Sequence, residues 1–264
     1  MNAARDLLVR GLLAGLLAGI AAFFVAYAVG EPSVGAAIAV EDSTGTAGHD
    51  HGTTADPDHT TDEGAADQTV VPRSLQSTAG LATATVVAGV TLGGLVGTVS
   101  ALGMGRFGRL GTRGVPLLVA GLGFVATYLV PYLAYPPNPP AVGRADTIGY
   151  RTELYFLLVA VSLIVGVVAV LLARRLAPRW GAWWAVLACT AGYGAVMVVT
   201  TAIMPGYDEV PADFPATLLY EFRRASMLVQ LTLWGVLGLA TAELAHRLAV
   251  RGSRSGRTAQ LVDA

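Results

Sequence analysis

The sequence predicts an all-α, polytopic integral membrane protein with a disordered outer loop rich in histidine and aspartate. Of its 264 residues, 54% are apolar and only 13% are charged, whereas soluble domains carry about 45–50% apolar and roughly 25% charged residues. Apolar runs long enough to cross a 30 Å bilayer recur six times, and arginine gathers in alternate connections between them. We therefore expect six transmembrane helices, with five as the alternative count.

The predicted spans are residues 11–29, 81–104, 115–134, 154–173, 183–203 and 227–245. They divide the chain into a start with the first helix (1–30), an acidic outer loop (31–78), a bundle of about five helices (79–249) and an arginine-rich tail (250–264). Arg5 and Arg10 before the first span, and the Ala26-Tyr27-Ala28 string near its end, also fit a secretory signal. The length of the apolar run favours a retained helix.

Glycine occupies every fourth position in parts of the first two spans. These residues are Gly11, Gly15 and Gly19 in the first span and Gly89, Gly93 and Gly97 in the second. Small residues at this spacing let two helix backbones approach closely. We expect a helix–helix seam, and a glycine-lined permeation path is the alternative.

Charge placement predicts the orientation. All 17 basic residues are arginine, and twelve of them lie in the termini and connections on one side of the membrane. Of the 18 acidic residues, 15 lie in the three segments on the other side. Because short cytoplasmic loops accumulate arginine, we expect a multi-pass protein of the cell membrane with both termini in the cytoplasm.

The sequence lacks the residues that several classes of protein function require. Without lysine there is no Walker-A site and no Schiff-base chemistry, and a net charge of −1 argues against nucleic-acid binding. The chain contains no H-E-x-x-H motif, no Ser-His-Asp order and no histidine inside a predicted span. One cysteine, Cys189, excludes an internal disulfide. We expect no enzyme, no catalytic residue and no resident cofactor.

The outer loop carries three of the four histidines within eleven residues. The predicted metal ligands are His49, His51, His59, Asp50 and Asp58. Imidazole suits Co²⁺, Ni²⁺, Cu²⁺ and Zn²⁺, and neighbouring carboxylates raise the local cation concentration. The alternative is a solvated spacer with no specific ligand. The fourth histidine, His246, shares a helix face with Glu243, which we interpret as a surface pair.

Two proline-rich outer segments, 135–140 and 204–215, precede charged stretches that open helices. Residues that could frame an ion entrance or path are Asn138, Asp146, Asp208, Glu209, Asp213, Met204 and Gln230. Our first interpretation of the proline-rich turns is that they are rigid caps, and the ion entrance is the alternative. The middles of the spans hold no ionisable residue, so the softer candidates there are Met104, Ser162, Cys189, Met197, Thr200, Thr201 and Met227.

The order of these features resembles the CbtA family of cobalt transporter subunits. The residues that carry the resemblance are the Gly-Leu-Leu-Ala-Gly first helix, Glu31-Pro32, Glu41, the histidine-rich loop, the strings YPPNPPAVG (135–143) and MPGYDEVP (204–211), Phe214-Pro215 and Phe222-Arg223. The resemblance implies a bacterial or archaeal membrane protein of vitamin B12 synthesis. It also implies a small, single-span, histidine-rich partner similar to CbtB, with His49, His51 and His59 as candidate ligands. The family is usually drawn with about five spans.

The leading hypothesis is a membrane subunit for uptake of a divalent transition metal, Co²⁺ first and Ni²⁺ second, with capture by the histidine-rich loop. The alternative is a non-transporting, membrane-anchored metal-binding scaffold or sensor. Besides lipid and the small subunit, we expect no macromolecular partner such as nucleic acid.

Overall fold

The computed structural model describes residues 2–47, 72–107 and 110–262, and within these ranges the chain is helical with no β-strand. The helices are α1 (Asn2–Val25), α2 (Glu31–Ala47), α3 (Arg73–Leu75), α4 (Leu81–Gly103), α5 (Gly114–Phe124), α6 (Val130–Ala134), α7 (Ile148–Trp180), α8 (Ala182–Ile203) and α9 (Ala216–Val262). Single π-helical turns at Ala26–Gly30, Gln76–Gly80 and Val125–Leu129 join α1 to α2, α3 to α4 and α5 to α6.

Six helical stretches of the described chain are long and apolar enough to span a membrane. They are Ala4–Ser43, Arg73–Gly103, Gly114–Ala134, Ile148–Trp180, Ala182–Ile203 and Ala216–Arg251. Each contains or overlaps one predicted span, so the expected count of six is confirmed and five is not needed.

The bundle has two distinct ends. At one end, which we call the arginine-rich end, Arg10 Nη1 donates to the Leu244 carbonyl oxygen at 2.6 Å, and the Arg174 guanidinium lies 5.2 Å from the Phe107 ring centroid. At the other, the proline-rich end, Ala37 of α2 packs in a cluster with Val142, just after the first proline-rich segment, and Phe214 of the second. Helix α1 starts and α9 finishes at the arginine-rich end.

The glycine seam between α1 and α4 is confirmed. A Cβ atom on Gly15 would lie 2.1 Å from the Gly89 carbonyl oxygen, and one on Gly93 would lie 2.2 Å from that of Gly11. No side chain fits at either distance, so the two backbones touch directly. This contact leaves no room for a permeation path along the seam.

Four helices form the core, and two others form a separate pair. Helices α1, α4, α5 and α9 share a buried cluster that includes Ala18, Val96, Trp234 and Leu237. Helices α7 and α8 pack on each other, and α7 reaches the rest of the bundle through α6 and the π turn before it. The pair is therefore attached mainly near the proline-rich end.

The predicted outer loop is shorter than expected at both of its ends. Glu31–Ala47 continues α1 as helix α2, and Arg73 begins the helical stretch that becomes α4. Pro32 follows the π turn Ala26–Gly30, where the α-helical hydrogen-bond pattern is already interrupted, and alanine favours helix in the turns that follow. Helix α9 continues to Val262, into the predicted arginine-rich tail.

Candidate functional site

The proline-rich end brings the two outer segments, 135–147 and 204–215, into direct contact. The rings of Tyr135 and Tyr207 stack with centroids 5.1 Å apart and planes 6° from parallel. The Tyr135 hydroxyl donates to the Pro205 carbonyl oxygen at 2.9 Å. Burial raises the pKa of both tyrosines, so their hydroxyls stay protonated and able to donate at neutral pH. The segments thus form one joined cap.

Glu209 is the centre of this cap, with only 8% of its side chain exposed. Its carboxylate accepts from the Thr147 hydroxyl at 2.6 Å and from the Arg144 backbone N–H at 3.0 Å. The Arg151 guanidinium completes the set with Nη1 at 3.3 Å. These hydrogen bonds, Thr147 first, and the nearby guanidinium charges lower the pKa of Glu209. The carboxylate is therefore ionised at neutral pH, and hydrogen-bond and ion-pair donors already surround it.

Arg151 links α7 to both segments. Its Nη2 donates to the Arg144 carbonyl oxygen at 3.3 Å, and its guanidinium carbon lies 6.0 Å from the Tyr207 ring centroid. Its buried Nε has no hydrogen-bond partner in the described chain. Gly143 makes room for it: φ is +116°, and a Cβ there would lie 2.5 Å from Arg151 Nη1. A side chain at this turn would displace the guanidinium.

Asn138 is held by α9 rather than open to an ion. Its Oδ1 accepts from Arg223 Nη2 at 3.0 Å, and the neighbouring Pro137 carbonyl oxygen accepts from Arg223 Nε at 3.4 Å. Tyr132 Oη donates in turn to the Arg223 carbonyl oxygen at 3.3 Å. Arg223 therefore ties the first proline-rich segment to the start of α9.

The other predicted acids of this end are more exposed. Asp146 pairs with Arg144 at 2.9 Å, and that hydrogen bond lowers the pKa of Asp146, whose side chain is 64% exposed. The Asp208 carboxylate accepts from the Val210 backbone N–H at 3.3 Å. Asp213 is exposed. Asp208 and Asp213 are thus the acids of the cap with coordination capacity to spare.

A cavity of about 560 Å³ lies beneath the cap, between the first segment, α6 and α7. Its polar lining comprises Tyr128, Tyr132, Tyr135, Asn138, Arg151, Thr152, Tyr155 and Tyr207. The Tyr128 hydroxyl hydrogen-bonds to Ser226 Oγ at 2.8 Å, and that of Tyr155 donates to the Thr127 carbonyl oxygen at 3.2 Å. Aromatic rings, polar oxygens and the paired Arg151 line the space together with aliphatic and proline side chains.

The softer candidates inside the membrane are divided between packing units. Thr200 and Thr201 bond to carbonyl oxygens of their own helix, and Met204 packs beside Tyr135. Met197 joins the same cluster, and Ser162 hydrogen-bonds to Tyr193 at 2.7 Å. Met227 and Gln230 are half-buried on α9, which packs on α1 and α5. Cys189 is buried on α8, and Met104 ends α4 at the arginine-rich end.

The predicted metal ligands of the outer loop and the histidine of α9 stand differently in the structure. His49, His51, His59, Asp50 and Asp58 lie outside the described residues. His246 Nδ1 is 3.4 Å from the Thr112 hydroxyl, and Glu243 pairs with Arg113 and Arg247. Within the described ranges, no three histidine, cysteine or acidic side chains come together as a metal site would require.

Sequence reasoning did not select the residues that hold the cap together. Tyr135, Tyr207, Thr147, Arg144 and Arg151 were absent from the candidates, although all lie in or beside the proline-rich strings. A signal was present in the placement of Arg151 in the first turn of a span, where an arginine requires a partner. The partner itself, 58 positions away, is visible only in the fold.

The fold and this cap define a multi-pass α-helical membrane protein whose connections at one end are locked together. Residues 4–246 match the CbtA family, described as a probable cobalt transporter subunit, and the chain belongs to that family. No curated protein and no solved structure matches the chain.

Proposed function

We propose that this chain is the membrane subunit through which a cell takes up Co²⁺, with Ni²⁺ as a second cargo, for vitamin B12 synthesis. Its membership of a family of cobalt transporter subunits carries the proposal. The description as a subunit also supports a partner, for which we propose a small single-span, histidine-rich protein similar to CbtB.

Capture begins at the histidine-rich loop, through His49, His51 and His59 with Asp50 and Asp58. Imidazole and carboxylate ligands on one short stretch favour a divalent transition metal. The positions of the helices that flank the loop support a short distance between the loop, where the ion is captured, and the cap. Helix α2 packs on the cap through Ala37, and the Arg73 guanidinium pairs with Glu31 at the base of α2. Both ends of the loop thus start from segments attached to the proline-rich end.

The ion then passes the cap at the proline-rich end. Asp208 and Asp213 are exposed acids that can attract a hydrated cation, whereas Glu209, Asn138 and Asp146 are committed to arginine. We assign Asp208 and Asp213 to attraction and Glu209 and Asn138 to holding the entrance in shape, while Asp146 stays in its exposed pair with Arg144. Met204 lies just inside the cap, and Gln230 lies on α9 as a further candidate along the path.

The membrane potential can drive uptake, since a dication moving inward gains about 2 × 2.3 kcal/mol per 100 mV. That energy corresponds to a concentration ratio of roughly a thousand or more. The proposal therefore requires no nucleotide site in this chain.

The test is cobalt accumulation, measured by mass spectrometry, in a host that lacks its own cobalt and nickel uptake. The chain is expressed with and without the small subunit, and His49, His51 and His59 are changed to alanine together. We expect accumulation at low external cobalt to fall about tenfold, because capture by several ligands is lost. The matched control is His246→Gln, since this histidine contacts Thr112 at the opposite end.

A scaffold or sensor is the second candidate. It predicts that membranes containing the chain bind cobalt through the loop histidines while cells accumulate none above background. Absence of accumulation in both arrangements, with membrane insertion verified, would contradict uptake and favour this candidate.

A further inference from the structure

A groove at the arginine-rich end is lined by one face of α7. Val168, Leu171, Leu172, Arg174 and Arg175 surround a volume of about 520 Å³. The positions 168, 171, 172 and 175 follow helical spacing, so they form a single stripe. Val168, Leu171 and Leu172 are 54%, 51% and 46% exposed, respectively. The groove is therefore open on its side and apolar along most of its length.

Two guanidinium groups stand at the end of this groove without acidic partners. In the described part of the chain, no ion pair or side-chain hydrogen bond joins Arg174 or Arg175 to another residue. Arg174 instead lies over the face of Phe107. That contact orients the guanidinium plane and leaves its N–H edge available.

Other arginines either have acidic partners or lie outside the groove. Arg144 and Arg151 are paired with Asp146 and Glu209, respectively. Arg179, one turn beyond Arg175, is exposed and does not line the groove. Unpaired positive charge and apolar space therefore coincide at residues 168–175.

We propose that this groove binds an anionic phospholipid, with an acyl chain along the apolar stripe and the phosphate at Arg174 and Arg175. The charge complementarity is direct, because a phosphate accepts several hydrogen bonds from guanidinium groups and basic pockets between transmembrane helices bind anionic headgroups. An acyl chain satisfies Val168, Leu171 and Leu172 at the same time. This proposal does not depend on which leaflet the arginine-rich end faces.

The test is native mass spectrometry of the purified full chain with phosphatidylglycerol and with phosphatidylcholine of identical acyl chains. Wild type is expected to bind phosphatidylglycerol more tightly. The double variant Arg174→Gln/Arg175→Gln should lose about fivefold in affinity per arginine and bind both lipids equally. Arg179→Gln is the matched control and should leave the preference unchanged.

A second variant, Leu171→Trp, separates the groove from surface charge. It fills the apolar stripe without altering charge, so it should weaken binding of both lipids, while an unchanged thermal unfolding midpoint shows that the fold is intact. The proposal is overturned if wild type has no preference for phosphatidylglycerol, or if Arg179→Gln abolishes the preference as strongly as the double variant. It is equally overturned if inorganic phosphate competes at the same concentration as the lipid, because the occupant is then a free anion.

Discussion

Three donors of its own chain contact the Glu209 carboxylate: a hydroxyl, a backbone N–H and a guanidinium. A cation approaching the cap would have to compete with these donors. The residue therefore acts in holding the two outer segments together, and an ion reaches it only if the cap rearranges.

Replacing Glu209 with glutamine tests this role. Glu209→Gln removes the charge that Arg151 and the Arg144 N–H face, so we expect the midpoint of thermal unfolding in detergent to fall by about 2–4 °C. The control is Asp146→Asn, which breaks an exposed pair with Arg144 and should change the midpoint very little. An equal effect of the two substitutions would show that Glu209 has no special place in the cap.

The same contacts give the cap a defined pH dependence. The pKa of Glu209 is lowered from its ordinary value of 4.5, so its contribution is present above that pH and is lost as the pH falls through the lowered value. We expect the difference in unfolding midpoint between wild type and Glu209→Gln to stay constant down to about pH 5 and to shrink below about pH 4. Unfolding scans across this range measure it, and a difference that disappears near neutral pH would contradict the assignment.

The glycine seam governs the pairing of α1 with α4. Gly15→Ala places a methyl group against the Gly89 backbone, so we expect a loss of about 1–3 kcal/mol in stability. Gly121→Ala is the control, since this glycine lies in a membrane helix and nothing is within 4 Å of its added Cβ. Thermal unfolding of both variants in one detergent gives the comparison, and equal midpoints would mean that the helices separate without cost.

Sequence patterns specified some elements well and others poorly. The six spans and the glycine seam followed from composition and spacing, which are local signals. The length of α2 did not, because a segment poor in aromatics was taken as unable to order, whereas Ala37 is buried beneath Val142 and Phe214. The π turns were also missed, since they depend on packing between helices.

The candidate site was predicted only in outline for a similar reason. Proline strings indicated the right end of the molecule, and Glu209 and Asn138 were among the candidates. Their partners, Arg151 and Arg223, lie 58 and 85 positions away and are brought in by the fold. Long-range pairing of this kind has no local signature.

At the scale of the whole molecule, six spans place both ends of the described chain at the arginine-rich end, which arginine counts predict to be cytoplasmic. The one native cysteine, Cys189, is buried, so single introduced cysteines can report sidedness. A membrane-impermeant maleimide applied to intact cells should label Ser74→Cys and not Arg179→Cys. Labelling of both after membrane disruption is the control, and the reverse pattern would invert the orientation.

The separate α7–α8 pair has a mechanical consequence. Helix α7 contains 33 residues, so it is about 50 Å long at 1.5 Å per residue. Its firmest attachment lies at one tip, and a tilt of about 10° there would sweep the opposite tip through about 9 Å. The Arg174–Phe107 contact sits near the far end of this lever. A small tilt of α7 at the cap would thus be magnified into a much larger displacement of the helix at the arginine-rich end.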